Sequence, residues 1–260
     1  MCLALVAINL HPFYPLIVLS NRDEFYNRAT IPAHFWPEAP NLFAGKDLAA
    51  GGTWLGVNQQ GGFSLITNYR NPNIYDVALC SRGLLVKNYL LESIRTSPAS
   101  YLQEILPSVH CYNPFNLLVG TIDELIYYSN VENKVKKLTH GLYGISNHLL
   151  DSPWYKLLKA KKLFNQSLDK VKLSKHPESI EELLFPILAN RTLAPDHLLP
   201  QTGVPIDLEK LLSSIFVNVP NVGYGTRSST LILFGKNTIF FSEKTFSNGA
   251  LLSWSRTNIK

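Results

Sequence analysis

The second residue of the chain is a cysteine. A small residue there permits removal of the initiator Met1, which would leave Cys2 with both a thiol and a free α-amine. The amine titrates near ~7.7–8.0 and the thiol near ~8.5. A neutral amine can therefore take the thiol proton unaided, the arrangement that activates amino-terminal nucleophiles. A cysteine opening a buried apolar strand would read the same way. The tetrad Asn21-Arg22-Asp23-Glu24 follows an apolar run. Four polar residues at a strand end either cap a turn as ion pairs or furnish a site. Beside Cys2, the Arg22 guanidinium would favour the thiolate, and the Asp23 carboxylate would hold the α-amine. Asn68, in Thr67-Asn68-Tyr69-Arg70, and Asn147, in Ser146-Asn147-His148, stand at strand ends. Their amides either donate to a developing oxyanion or simply form turns. Arg227 precedes a late strand, where it can grip a carboxylate or phosphate through two hydrogen bonds or join a surface ion pair.

Strands have to gather these residues. Residues 3–10 and 16–20 are apolar runs joined by a turn containing Pro12 and Pro15, the pattern of a hairpin. That pairing brings the end of the second strand to the start of the first, with Arg22 or Asp23 beside Cys2. Gly51-Gly52-Thr53-Trp54-Leu55-Gly56 lacks the ending of a phosphate loop and reads as a turn feeding a strand. Strands are expected over residues 63–68, 115–120, 124–129, 134–138, 143–147, 229–234, 238–241 and 250–254. Helices are expected over 83–94, from Ser152-Pro153 with a hydroxyl cap, and from Pro177 until Pro186 kinks or ends it. Lys156, Lys159 and Lys162 share a helix face with Lys161 nearby; a solvated face is expected, with acidic head groups or nucleotide phosphates as the other reading. Strands bracketing a helical middle predict an α+β chain of mainly antiparallel sheets with helices outside, in a single domain over residues 1–260.

Composition removes several classes. Apolar residues make up 46% and charged residues 17%, which a disordered chain does not show. No apolar run reaches the ~18–20 residues of a membrane helix, and no basic stretch precedes residues 3–10, so a cytoplasmic protein without a transmembrane segment or signal peptide is expected. The net charge of +5 comes without interleaved aromatics and arginines, so no nucleic-acid partner is expected. Cysteines at 2, 80 and 111 do not make a disulfide framework, and Cys80 and Cys111 are expected to be buried inert thiols. The histidines lack ligand spacing and there is no haem-attachment motif, so neither a metal nor a cofactor is expected.

Taken together, the segments Met1-Cys2, Ser20-Asn21-Arg22-Asp23-Glu24-Phe25, Gly45-Lys46-Asp47, Gly51-Gly52-Thr53-Trp54-Leu55-Gly56, Thr67-Asn68-Tyr69-Arg70, Gly144-Ile145-Ser146-Asn147, Leu199-Pro200-Gln201-Thr202-Gly203-Val204 and Tyr224-Gly225-Thr226-Arg227-Ser228-Ser229 resemble the NRDE family, also called the transport-and-Golgi-organisation protein 2 family. They run in order along nearly the whole chain. The resemblance implies an amino-terminal-nucleophile hydrolase-like fold, a four-layer αββα sandwich of two antiparallel sheets between helices. In cysteine members of that superfamily, such as conjugated bile-acid hydrolases, a Cys after the initiator Met, an Arg and an Asp near the second strand, two later Asn and a late Arg form the site. Cys2, Asn68, Asn147 and Arg227 are similar in order and setting. Arg22 and Asp23 adjoin here, whereas two residues separate their counterparts, so Asp23 and Glu24 are both candidates for holding the amine. The resemblance implies a cysteine hydrolase or acyltransferase acting on a carbon–nitrogen amide bond, or a non-catalytic binder of haem or acyl-coenzyme A in the same cleft. Eukaryotic members are linked to secretory-pathway organisation, haem trafficking and acyl-coenzyme A or lipid metabolism. With Arg22 and Arg227 beside apolar strands, the expected ligand is a small molecule, anionic and partly apolar. Asn21 and Glu24 are counted with the residues that bind it.

Overall fold

Residues 3–8 and 16–19 are unbroken apolar runs, so each suits a strand buried on both faces. In the computed structural model, which describes residues 2–77 and 79–259 (Cys2 through its backbone alone), they form β1 (Cys2–Ile8) and β2 (Leu16–Phe25). The turn between them starts at Asn9, held at φ 55° with its N–H donating to the Pro15 carbonyl at 2.7 Å. The chain continues through β3 (Thr30–Trp36), β4 (Ala39–Asp47), β5 (Leu55–Asn58), β6 (Phe63–Asn68), α1 (Gly83–Glu92), α2 (Pro98–Ile105), β7 (Phe115–Gly120), β8 (Leu125–Ser129), β9 (Lys134–Leu138) and β10 (Gly141–Ile145). Then follow α3 (Tyr155–Leu173), α4 (Pro177–Leu188), α5 (Ile206–Leu211), β11 (Asn218–Val219), β12 (Tyr224–Phe234), β13 (Ile239–Ser247) and β14 (Ala250–Ile259). These elements gather into two compact units, one made of the chain up to Asn27 and His140–Asn258, the other of Arg28–Thr139 with Ile259.

The first unit holds a sheet of order β10-β1-β2-β12-β13-β14, with β11 paired to β12. The pairs β10–β1, β1–β2, β2–β12 and β12–β13 are antiparallel. Alternation sends Leu3, Leu5, Ile17, Leu19, Leu231 and Leu233 to one face. There they meet Leu157, Ala160, Phe164 and Val171 of α3 and Ile180, Leu184 and Leu188 of α4 in one core. Gly144 of β10 lies under α3 so closely that a Cβ would come within 2.7 Å of Leu157, which lets the helix seat on the sheet.

The second unit is a meander of order β3-β4-β5-β6-β7-β8-β9, antiparallel at every step. Val86, Tyr89 and Leu90 of α1 and Tyr101 and Leu102 of α2 close its core over Leu42, Ile66, Leu117 and Val119. Two of the sequence motifs meet here, because the space a side chain at Gly45 would take is filled by the Trp54 ring.

Several expectations are corrected. The β3–β4 hairpin was not expected, since Pro32, Pro37 and Pro40 mask it; β3 is an edge strand, where proline is tolerated. Polar Asn21-Arg22-Asp23-Glu24 does not end β2 but lies inside it. Ser152 and Pro153 precede α3 rather than start it, with Trp154 at the cap position. Pro186 stands inside α4, two residues before its end, where the N–H it lacks removes only one bond of the last turn. Lys156 is buried rather than solvated. Cys80 is exposed and only Cys111 is partly covered.

Candidate functional site

The strand register assembles the candidate residues of the first unit. Cys2 pairs with Arg22, and Arg22 pairs on its other side with Ser228. One level down, Ala4 pairs with Ser20, Ser20 with Thr230, and Thr230 with Glu243. Opposed residues in antiparallel strands share a face, so Arg22, Ser228, Ser20, Thr230 and Glu243 form a polar patch on the face away from α3 and α4. Arg22 is 5% exposed and Glu243 2%. On the flank, Ile145 ends β10 opposite Ala4. Asn147 lies two residues further in the direction of Cys2 and is fully buried.

Arg227 owes its position to a break in the ladder. The register of β12 against β2 shifts between Thr226 and Ser228, leaving Arg227 as the extra residue of a bulge. Its Nη1 donates to the Phe25 carbonyl at 2.8 Å and to that of Tyr26 at 3.0 Å, clamping the end of β2. Burial lowers its pKa, and the positive charge of Arg22 adds to the effect, while Glu24 opposes it. Two guanidinium groups thus sit within electrostatic reach of one another. Gly225, in the same segment, passes so close to the Val217 carbonyl that a Cβ would stand 2.7 Å from it.

The other members of the tetrad have separate surroundings. Asn21 precedes Arg22 by one residue and faces the helices. Its Nδ2 donates to the carbonyls of Leu188 and Ile215, both at 2.8 Å, and its Oδ1 accepts from Ser229 Oγ at 2.6 Å. The amide counted among ligand-binding groups therefore stitches β2 to the end of α4 and the approach to β11. Asp23 is 1% exposed and its Oδ1 accepts from Thr226 Oγ1 at 2.7 Å, while its carbonyl accepts from Tyr224 Oη at 2.9 Å. Glu24 stands opposite Gly225, with Oε1 accepting from the Phe25 N–H at 2.9 Å. Asn68 belongs to the second unit, at the end of β6 opposite Phe115. Its neighbour Thr67 accepts from Asn116 Nδ2 at 3.1 Å, and Asn116 Oδ1 accepts from Tyr127 Oη at 2.7 Å.

Ser228 and Glu243 were not anticipated. Ser228 Oγ is buried with no hydrogen-bond partner among the described residues. Its alternation with Arg227 was visible in the sequence, but its alignment with Arg22 needs the register of two distant strands. His148, next to Asn147, turns its Nδ1 to Ser152 Oγ at 2.6 Å. Whether Met1 is present, and the setting of the Cys2 thiol, lie outside the described residues. Among the described residues no group of three or more His, Cys, Asp or Glu could hold a metal ion, and no helix is long and apolar enough to cross a membrane.

Antiparallel sheets carrying helices in this order define the amino-terminal-nucleophile hydrolase fold. The chain matches the C2A mutant of conjugated bile acid hydrolase from Clostridium perfringens with a TM-score of 0.56, over 100% of this chain and 92% of that one, at 9% identity. The chain belongs to the Transport and Golgi organisation 2 family, whose model matches residues 1–248. It is 33% identical over 251 residues to the human Transport and Golgi organization protein 2 homolog, covering 93% of this chain and 90% of that protein. Against Transport and Golgi organization protein 2 of Drosophila melanogaster the identity is 29% over 265 residues, covering 95% and 92%.

Proposed function

We propose that this protein is a cysteine amino-terminal-nucleophile amide hydrolase or acyltransferase acting on an anionic, partly apolar substrate. The observation that carries the reading is the register Cys2–Arg22–Ser228, with Arg227 bulged out one residue before Ser228. Three neighbouring strands thereby bring the first residue of a processed chain level with a buried guanidinium. The match to a hydrolase solved as a mutant in which the cysteine at the second position is replaced by alanine supports the reading.

With Met1 removed, the Cys2 α-amine takes the thiol proton and the thiolate attacks the amide carbon. Asn147 donates to the oxygen as it becomes an oxyanion. The ammonium returns its proton to the leaving nitrogen, the carbon–nitrogen bond breaks, and a thioester to Cys2 remains. Water, or a second amine in the transferase case, then attacks that thioester and releases Cys2. Arg22 favours the thiolate by its charge. Asp23 or Glu24 orients the amine. Arg22 and Arg227 account for an anionic substrate, since a desolvated guanidinium favours carboxylate or phosphate.

The test joins intact mass with acyl labelling. Protein from native cells is expected to lack Met1, and an acylating probe is expected to modify Cys2 in the wild type and not in Cys2→Ser. Quantitative retention of Met1 ends the mechanism, because the amine would be an amide. Full function in Cys2→Ser, with no labelling of the wild type, replaces it with a non-catalytic carrier of haem or acyl-coenzyme A. A thermal-shift screen with haem, acyl-coenzyme A and N-acyl amino acids is expected to raise the melting temperature with at least one of them; no shift with any counts against an anionic ligand.

A further inference from the structure

We propose that the outward face of α3 docks on an anionic lipid bilayer. The helix carries six lysines and one acid, Asp169. It alone therefore holds a formal charge equal to the +5 of the whole chain, and the rest of the chain is neutral in sum. Lys156 is buried and Lys161 is paired with Asp151 at 2.8 Å. Lys162, Lys170 and Lys172 are exposed, Lys159 is half-buried with its Nζ donating to Tyr155 Oη at 3.4 Å, and Lys175 is exposed just beyond the helix.

The core stripe of the helix, Leu157, Ala160, Phe164 and Val171, is committed to the sheet. A partner that wraps an apolar helix face has nothing to grip. What is presented outward is different: Leu158 and Leu173 are 54% and 84% exposed at the two ends of the helix, about 22 Å apart at the helical rise. Phe13, also exposed, lies beneath the Lys175 ammonium at 5.0 Å from its ring. Beside the first half of the helix an open groove of about 610 Å³ is lined by Leu158, Lys161, Lys162, Asn165 and Gln166, with Asp151 at its rim.

Lysines spaced along both flanks of the face, with no arginine fork converging on one point, suit a plane of negative charge better than a single phosphate. Exposed leucines at both ends suit the boundary between head groups and acyl chains. Charge complementarity with anionic head groups and shallow insertion of Leu158 and Leu173 together would hold α3 parallel to the membrane.

The test is co-sedimentation with phosphatidylcholine vesicles, with and without phosphatidylserine. Binding is expected to the anionic vesicles alone and to be lost in high salt. The variant Lys159→Glu/Lys162→Glu/Lys170→Glu/Lys172→Glu is expected to bind at least about tenfold more weakly, since each surface lysine adds to the attraction. Leu158→Ser/Leu173→Ser is expected to weaken binding severalfold at unchanged charge. Should the charge-reversed chain not fold, the corresponding Gln variants replace it. Equal binding to neutral vesicles, unchanged binding by a folded lysine variant, or retention of short RNA or an acidic protein with the vesicles left unbound overturns the proposal.

Discussion

At the scale of single residues, Arg22 is 5% exposed, yet it occupies the strand position paired with Cys2. A buried guanidinium costs desolvation that an apolar residue would not, and in the proposed mechanism its charge favours the Cys2 thiolate. Arg22→Met is expected to lower acyl labelling of Cys2 by at least about 10²-fold, and Arg22→Lys to restore it only in part, because an ammonium lacks the planar fork; labelling rates measured beside melting temperatures check this. Asn147→Ala is expected to cost about 10²- to 10³-fold in labelling rate, and an unchanged rate removes Asn147 from the mechanism. Asn21 belongs to a different category. Asn21→Ala strips a donor from two buried carbonyls and an acceptor from Ser229, at about 1–3 kcal/mol per orphaned group. Denaturant titration should show a loss of stability of that order. Ser228→Ala removes a buried hydroxyl that has no partner among the described residues, so stability should hold or rise slightly, and any fall in labelling then reports on the environment of Arg22.

At the scale of elements, the β1–β2 turn is fastened to α3 by one imidazole. His11 Nδ1 accepts from the N–H groups of Phe13 and Tyr14, both at 3.1 Å, while Nε2 lies 2.9 Å from the Val171 carbonyl and 3.1 Å from that of Ser174. Only the neutral Nε2–H form satisfies all of these, and burial accordingly holds the His11 pKa below its usual 6.5. Between the folded pKa and the unfolded one the unfolded chain binds more protons. The stabilisation is therefore complete above the unfolded value and is lost as pH falls through the folded one. Urea midpoints should drop on acidification below about 6.5, and His11→Gln should be less stable at neutral pH but flatter across that range. A second tie joins α4 to the edge of the same sheet. Buried Glu181 accepts from Arg256 Nε at 2.8 Å, from Trp254 Nε1 at 3.2 Å and from Ser242 Oγ. Above that carboxylate, Lys244 lies 3.9 Å and Arg256 4.0 Å from the Trp254 ring.

At the scale of the whole molecule, charge is distributed unevenly. A net +5 spread over 260 residues looks unremarkable as a sum, but one helix accounts for all of it. The lysines were legible in the sequence as a cluster. Which of them face solvent was not, because Lys156 lies on the flank next to the core stripe and is covered, a difference that depends on how the helix is rotated against the sheet.

Cys2, the Asn-Arg-Asp-Glu tetrad, the first hairpin and the ordered motifs were all readable in the sequence, because apolar alternation and turn residues act locally and the motif order spans nearly the whole chain. The same local rules predicted that Arg22 or Asp23 would approach Cys2, since a hairpin with a short turn has few registers open to it, and the register selects Arg22. The assignment of the tetrad was beyond them. Asn21, Arg22 and Asp23 are adjacent letters, but alternation sends Arg22 to one face and Asn21 to the other, and what awaits on each face comes from residues some 200 positions away, Ser228 and Ser229 among them. The bulge that frees Arg227 from the ladder exists only when β12 lies against β2. Sequence thus determined which residues could do chemistry and which strands would carry them. Tertiary pairing decided which stand level with Cys2 and which are structural ties, because strand register is a relation between segments that no single segment encodes.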